Sequence, residues 1–289
     1  MSDSAWLALI IGNSRLHWAW FMGEKLQQAW DTPHLLESVV QQLANCQTIA
    51  DFPKEILYPS NLSSQPLDKI KPFPLTLPSR EGLGVGGKGE FGSCPPLYLA
   101  SVVPSQTKIW QVYPNVNLIT LDKIPLLGMY STLGSDRALA LWGAGETYGY
   151  PILVIDAGTA LTFTGADTNR HLVGGAILPG LGLQLQSLAQ KTANLPQLEA
   201  QNVLSLPPRW ALNTPESIQS GVIYTITAGM RDFIEAWLQE FPESRISLTG
   251  GDGNLLLKYM RSHSPQIAAR IMFEPYLIFW GMRKVRREE

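Results

Sequence analysis

Cysteine is nearly absent from this chain, with only Cys46 and Cys94 among 289 residues. Two thiols cannot build the disulfide framework of a small secreted domain, and these two lack zinc-ligand spacing, so a reducing, cytoplasmic setting is expected. Histidine is scarce too: His17, His34, His171 and His263 stand without metal spacing and receive no catalytic role on that ground. No stretch approaches the roughly 18 apolar residues of a membrane span. Even residues 271–280 are interrupted by Glu274 and Pro275. Met1-Ser2-Asp3-Ser4 lacks the basic start of a signal peptide, and the apolar run 5–11 is too short to continue one. An excess of charge is also missing. With 22 basic and 24 acidic residues the net charge is −2, which gives no electrostatic reason to expect nucleic-acid binding. The basic cluster Arg283-Lys284-Val285-Arg286-Arg287 reads as a solvated helix end.

What remains is the composition of an ordered globular protein, 45% hydrophobic and 16% charged. Its length favours two domains, expected at 1–130 and 131–289, with the last helix able to pack back on the first domain. Residues 6–11 and 16–21 read as a hairpin, 33–44 as a helix and 97–103 as a buried strand. In the second half, helices are expected over 135–146 and 181–189, and strands over 152–155 and 246–248. A longer helix is expected to open on Thr214 as its cap with Pro215 in the first turn, and to reach about residue 241 with a break at Gly229. Strands alternating with helices point to an α/β class. Residues 72–96, rich in proline and glycine, read as a flexible surface insertion. Within it residues 82–88 match the spacing of a phosphate-binding P-loop, but Gly89 takes the place of the Mg²⁺-binding hydroxyl residue and no apolar strand leads in, so that motif is set aside.

Two glycine turns carry the chemistry. Ile155-Asp156-Ala157-Gly158-Thr159-Ala160-Leu161 runs from an apolar strand through an acidic turn into a second strand, and Ile10-Ile11-Gly12-Asn13-Ser14-Arg15-Leu16 is a weaker copy. Such turns let backbone N–H groups and a neighbouring hydroxyl hold phosphate oxygens, and two of them suggest related domains facing one nucleotide. The copies differ two residues before the glycine, where one has Asp156 and the other Ile10. Asp156 suits either an Asx turn or a cation ligand, with Thr159 reaching a phosphate. Gly134-Ser135-Asp136-Arg137 opens a helix, so Asp136 suits either a dipole partner or an acceptor for a substrate hydroxyl proton, with Arg137 steadying an anion. Gly250-Gly251 allows close approach to a ligand or forms a plain turn. Trp18 and Trp20 read as core or interface.

The order Gly12-Asn13-Ser14, Ser101-Val102-Val103-Pro104, Gly134-Ser135-Asp136-Arg137, Asp156-Ala157-Gly158-Thr159-Ala160, Gly174-Gly175-Ala176-Ile177-Leu178-Pro179-Gly180, Asn213-Thr214 and Thr249-Gly250-Gly251-Asp252 resembles the type III pantothenate kinases. The resemblance implies two ribonuclease-H-like domains of the actin, sugar-kinase and Hsp70 superfamily. It implies ATP-dependent phosphorylation of pantothenate, the first step of coenzyme A synthesis, in a homodimer. It further implies Asp136 as the base; Gly134, Ser135, Arg137, Thr214 and Tyr130 at pantothenate; Gly12, Asn13, Ser14, Arg15 and Thr159 at ATP; Mg²⁺ as cofactor; and Asp156 at K⁺ or NH₄⁺. This sequence departs from the pattern at Ile10, where the family usually has an aspartate, and in a shortened segment between Tyr130 and Gly134. A catalytically impaired binding homologue, or a phosphohydrolase on the same fold, would be the alternative outcomes.

Overall fold

A computed structural model describes residues 4–57, 94–199 and 205–288. The chain divides into two units, Met1–Thr120 and Leu121–Glu289. Most of the proline- and glycine-rich insertion, including the P-loop-like run, lies outside the described residues.

In the first unit, β1 (Ala5–Ile11), β2 (Leu16–Met22) and β3 (Lys25–Thr32) form an antiparallel meander. Helix α1 (Glu37–Ala44) and the short α2 (Lys54–Leu57) follow, then β4 (Leu97–Ser101), α3 (Pro104–Ile109) and β5 (Val116–Leu118). Strand β1 is central, antiparallel to β2 and parallel to β4, so the sheet order is β3-β2-β1-β4-β5. This explains the unbroken apolar run from Trp6 to Ile11, because a strand buried on both faces has no solvent side to reserve for polar residues. Trp18 is buried, stacks on Trp30 and meets the edge of Trp110, which makes it a core residue. Helix α1 begins at Glu37, later than expected.

The second unit opens with α4 (Ser135–Tyr148), followed by the meander β6 (Ile152–Ala157), β7 (Ala160–Ala166) and β8 (Leu172–Pro179). After α5 (Leu181–Lys191) and α6 (Thr214–Glu240) come β9 (Arg245–Thr249), α7 (Gly253–His263), α8 (Pro265–Ala268), β10 (Ile271–Phe273) and α9 (Leu277–Glu288). Sheet order is β10-β9-β6-β7-β8, with β9 parallel to β6 and to β10. Read from its third meander strand, each sheet follows one plan: three antiparallel strands, then two parallel ones beside the first. The molecule therefore consists of two α/β domains of ribonuclease-H-like topology.

Helix α6 corrects two expectations. Asn213 caps it, its side-chain oxygen accepting the Glu216 N–H at 3.0 Å, so Thr214 is the first helical residue rather than the cap. The helix also runs unbroken through Gly229. A glycine there costs about 1 kcal/mol, less than is gained by burying Ile223, Ile226, Met230 and Ile234 at helical spacing. Helix α9 packs against α4 within the second unit, where a Cβ on Gly143 would stand 2.2 Å from the Leu277 carbonyl oxygen and one on Gly281 would stand 2.1 Å from that of Leu139. In the basic cluster, Val285 is buried, Lys284 pairs with Glu146 at 3.7 Å and Arg283 lies over the Trp280 ring. Among the described residues, no helix is long and apolar enough to cross a membrane.

Candidate active site

The first turn spans residues 12–15 between β1 and β2 and closes with the Gly12 N–H donating to the Arg15 carbonyl at 3.0 Å. Asn13 and Ser14 are exposed at its tip. Two histidines flank it. His34 Nε2 donates to the Gly12 carbonyl at 2.8 Å, which fixes that peptide. The edge of His17 stands over Gly12, where a Cβ would come within 3.5 Å of Nε2. Arg15 reaches back to Asp31 on β3 at 3.1 Å, and His17 Nδ1 meets the same carboxylate at 2.7 Å. Partial burial raises the Asp31 pKa, but the hydrogen bonds and charges of His17 and Arg15 outweigh it and hold this carboxyl below the ordinary carboxylate range.

The second turn is shorter, with only Gly158 and Thr159 between β6 and β7. The chain returns beneath it: the Gly180 N–H donates to the Thr159 carbonyl at 2.9 Å, and a Cβ on Gly180 would stand 2.2 Å from the Gly158 carbonyl oxygen. Parallel pairing of β6 with β9 sets Asp156 opposite Thr249 and brings the following turn against it. Gly250 adopts φ +90, and a Cβ there would lie 2.5 Å from Asp156 Oδ1 and from the Ala157 carbonyl carbon. The Asp252 N–H closes the contact by donating to the Ala157 carbonyl at 2.9 Å. Asp156 and the glycines near residue 250, far apart in sequence, thus form one structure.

Asp136 is partly buried in the first turn of α4, its Oδ1 accepting the Arg137 N–H at 2.7 Å. Gly134 occupies the N-cap position and Ser135 is buried. Arg137 donates Nε to Thr164 Oγ1 at 3.0 Å, Nη2 to the Phe163 carbonyl at 3.1 Å and Nη1 to the Tyr130 hydroxyl at 3.0 Å. Gly175 makes room for this arrangement, since a Cβ there would approach Nη2 to 2.6 Å. Arg137 therefore ties the start of α4 to β7 and brings Tyr130 beside it. Thr214 lies elsewhere, in a cleft of about 800 Å³ that Gln184, Leu188, Ser217 and Ile218 also line, and neither Asp136 nor Arg137 lines that cleft.

Residues 98–236 match the family described as type III pantothenate kinase. A type III pantothenate kinase of Nostoc sp. is 55% identical over 287 residues, covering 98% of this chain and 95% of the relative. One of Synechocystis sp. is 40% identical over 280 residues, covering 97% and 90%. The chain belongs to the type III pantothenate kinase family. A crystal structure described as a conserved Baf family transcriptional activator from Campylobacter jejuni superposes with a TM-score of 0.58 at 18% identity, covering 98% of each chain, and agrees with the fold. Against the pattern of the type III pantothenate kinases, Ile10 is a buried hydrocarbon paired with Ala100, and its counterpart Asp156 is a partly buried carboxylate paired with Thr249. The sequence reading passed over His17, Asp31 and His34. Asp31 meets His17 through the pairing of β2 with β3, and His34 reaches Gly12 from the loop that follows β3.

Proposed function

We propose that this chain phosphorylates pantothenate to 4'-phosphopantothenate with ATP as donor, the first step of coenzyme A synthesis, and that Asp136 is the general base. The observation that carries this reading is the set at the start of α4: an oriented carboxylate at Asp136 beside an arginine held by Thr164, Phe163 and Tyr130. The Asp136 carboxylate takes the proton of the pantothenate hydroxyl as its oxygen attacks the terminal phosphorus, and ADP departs. Arg137 retains donor capacity beyond its three internal bonds for the anionic end of the substrate. Gly134, Ser135, Tyr130 and Thr214 are the other proposed pantothenate contacts.

Gly12, Asn13, Ser14 and Arg15 form the proposed phosphate loop of the first unit, and Thr159 is the contact from the second. Asp156 is the proposed ligand for K⁺ or NH₄⁺. Gly250 is compatible with that role, since any side chain there would press on Asp156 Oδ1 and the Ala157 carbonyl. Among the described residues no group of three or more His, Cys, Asp or Glu side chains could hold a metal ion, so the remaining ligands would be main-chain, hydroxyl or phosphate oxygens. Mg²⁺ would neutralise charge on the transferring phosphoryl group, and Ile10 offers it no ligand. A homodimer is the proposed assembly, consistent with Trp210 and Leu212 being exposed near Thr214.

Purified protein with ATP, Mg²⁺ and K⁺ is expected to yield phosphopantothenate, and absence of product refutes the kinase reading. Asp136→Asn should lower kcat by about a hundredfold or more with the fold unchanged. A fully active variant would remove Asp136 from the role of base.

A further inference from the structure

Across the first sheet, directly paired residues place Ile10 on β1, His17 on β2 and Asp31 on β3 in one row on one face. The row runs from a buried hydrocarbon through an imidazole to a carboxylate. As an ionised acceptor, Asp31 requires a proton on His17 Nδ1 and fixes the plane of the ring. The opposite edge carries Nε2, which stands by the residue 12–15 turn and has no hydrogen-bond partner among the described residues. His17 and Asp31 are roughly half exposed, with side-chain accessibilities of 40% and 46%, so a ligand at the turn can reach the ring.

We propose that His17 is a phosphate-contacting residue of the nucleotide site: with Asp31 behind it, the imidazolium donates Nε2–H to a terminal phosphate oxygen of the bound nucleotide. This rests on residues 12–15 being the phosphate loop. The physical argument is one of charge. A carboxylate at position 10 could meet a phosphate only through an intervening cation, whereas an imidazolium meets it directly with a charge-assisted hydrogen bond. Asp31 neutralises the ring from one side and the phosphate from the other, and both ring nitrogens are then donors. Arg15, on the same carboxylate, adds a second positive group at the edge of the turn. The His34 bond to the Gly12 carbonyl fixes the peptide over which the ring sits. A Cβ at Gly12 would lie 3.5 Å from Nε2, in van der Waals contact with the ring edge, which places the imidazole directly beside the turn.

The experiment is calorimetric binding of a non-hydrolysable ATP analogue and of inorganic tripolyphosphate, in buffer with EDTA, to the full chain. His17→Leu should weaken both about tenfold, leaving the KM for pantothenate unchanged. His17→Gln, a neutral donor whose amide nitrogen lies near the place of Nε2, should recover part of the affinity but not all of it, because the charge is lost, and Asp31→Asn should also fall between the leucine variant and the natural protein. His17→Leu binding both probes as tightly as the natural protein would overturn the proposal, as would His17→Gln failing to exceed His17→Leu. If the leucine variant does not fold, the glutamine and Asp31→Asn variants decide the matter alone. A protein that makes no phosphopantothenate but binds the analogue in a His17-dependent way would sink the kinase reading and uphold this one. An active kinase indifferent to His17 would do the reverse.

Discussion

Asp31 bears an arginine and a histidine partner on a half-exposed strand, and its depressed pKa links those contacts to stability. For an acid whose folded pKa is lowered, the stabilisation is present above the ordinary value of 3.8 and is lost as pH falls through the lower folded value. Solvent screening at this exposure limits it to about 1 kcal/mol. Asp31→Asn should therefore unfold at lower urea than the natural protein at pH 7, with the two curves drawing together below pH 3.8; a constant gap at all pH values would refute the linkage. At this scale the sequence was informative where a residue's neighbours lie close along the chain. Asp136, Arg137 and Gly134 could be read together because one helical turn holds them. His17, Asp31 and His34 could not, because the pairing of β2 with β3 and the return of the chain after β3, rather than sequence nearness, bring them together.

Single glycines decide how close elements come. Gly250 combines φ +90 with a Cβ position 2.5 Å from backbone and carboxylate atoms, whereas Gly251 has open space around its Cβ position. Gly250→Ala should destabilise the protein by roughly 1–3 kcal/mol, and Gly251→Ala should be close to neutral in the same denaturation series. Equal effects would show that the turn does not need its glycine for packing against Asp156. Elements were legible where the apolar pattern was strong, as in the continuous apolar runs of β1 and β6 and the helical period of α6. Strand β8 was not, because its half-buried and exposed residues alternate with two glycines in the middle, and Gly174-Gly175 resembles a loop until Arg137 is seen to need the space. The cap of α6 was misplaced by one residue because Asn213 and Thr214 are both good caps and only the bond to Glu216 distinguishes them.

Over the whole molecule, the two-domain α/β organisation could be inferred from length and from the paired glycine turns. The strand order could not, since parallel partners such as β1 and β4 are separated by the proline- and glycine-rich insertion. The duplication places Ile10 and Asp156 at matching points, each two residues before the turn glycine and each beside a parallel strand. Ile10 is 2% exposed, so Ile10→Asp should lower the unfolding free energy by about 3 kcal/mol or more, read from urea denaturation without nucleotide. A gain on adding Mg²⁺ and ATP larger than the natural protein shows would mean the new carboxylate holds the metal. No loss at all would mean the pocket at position 10 is already polar.

The repeated sheet plan has one more consequence. Because each half supplies a strand, a turn and a parallel neighbour in the same order, the polypeptide is its own control experiment. A turn of four residues with hydrocarbon behind it and a turn of two with an acid behind it can be exchanged between halves of one chain, at one concentration and in one buffer. Exchange of the segments 10–15 and 156–159 would then separate what each turn owes to its own residues from what it owes to the domain that carries it.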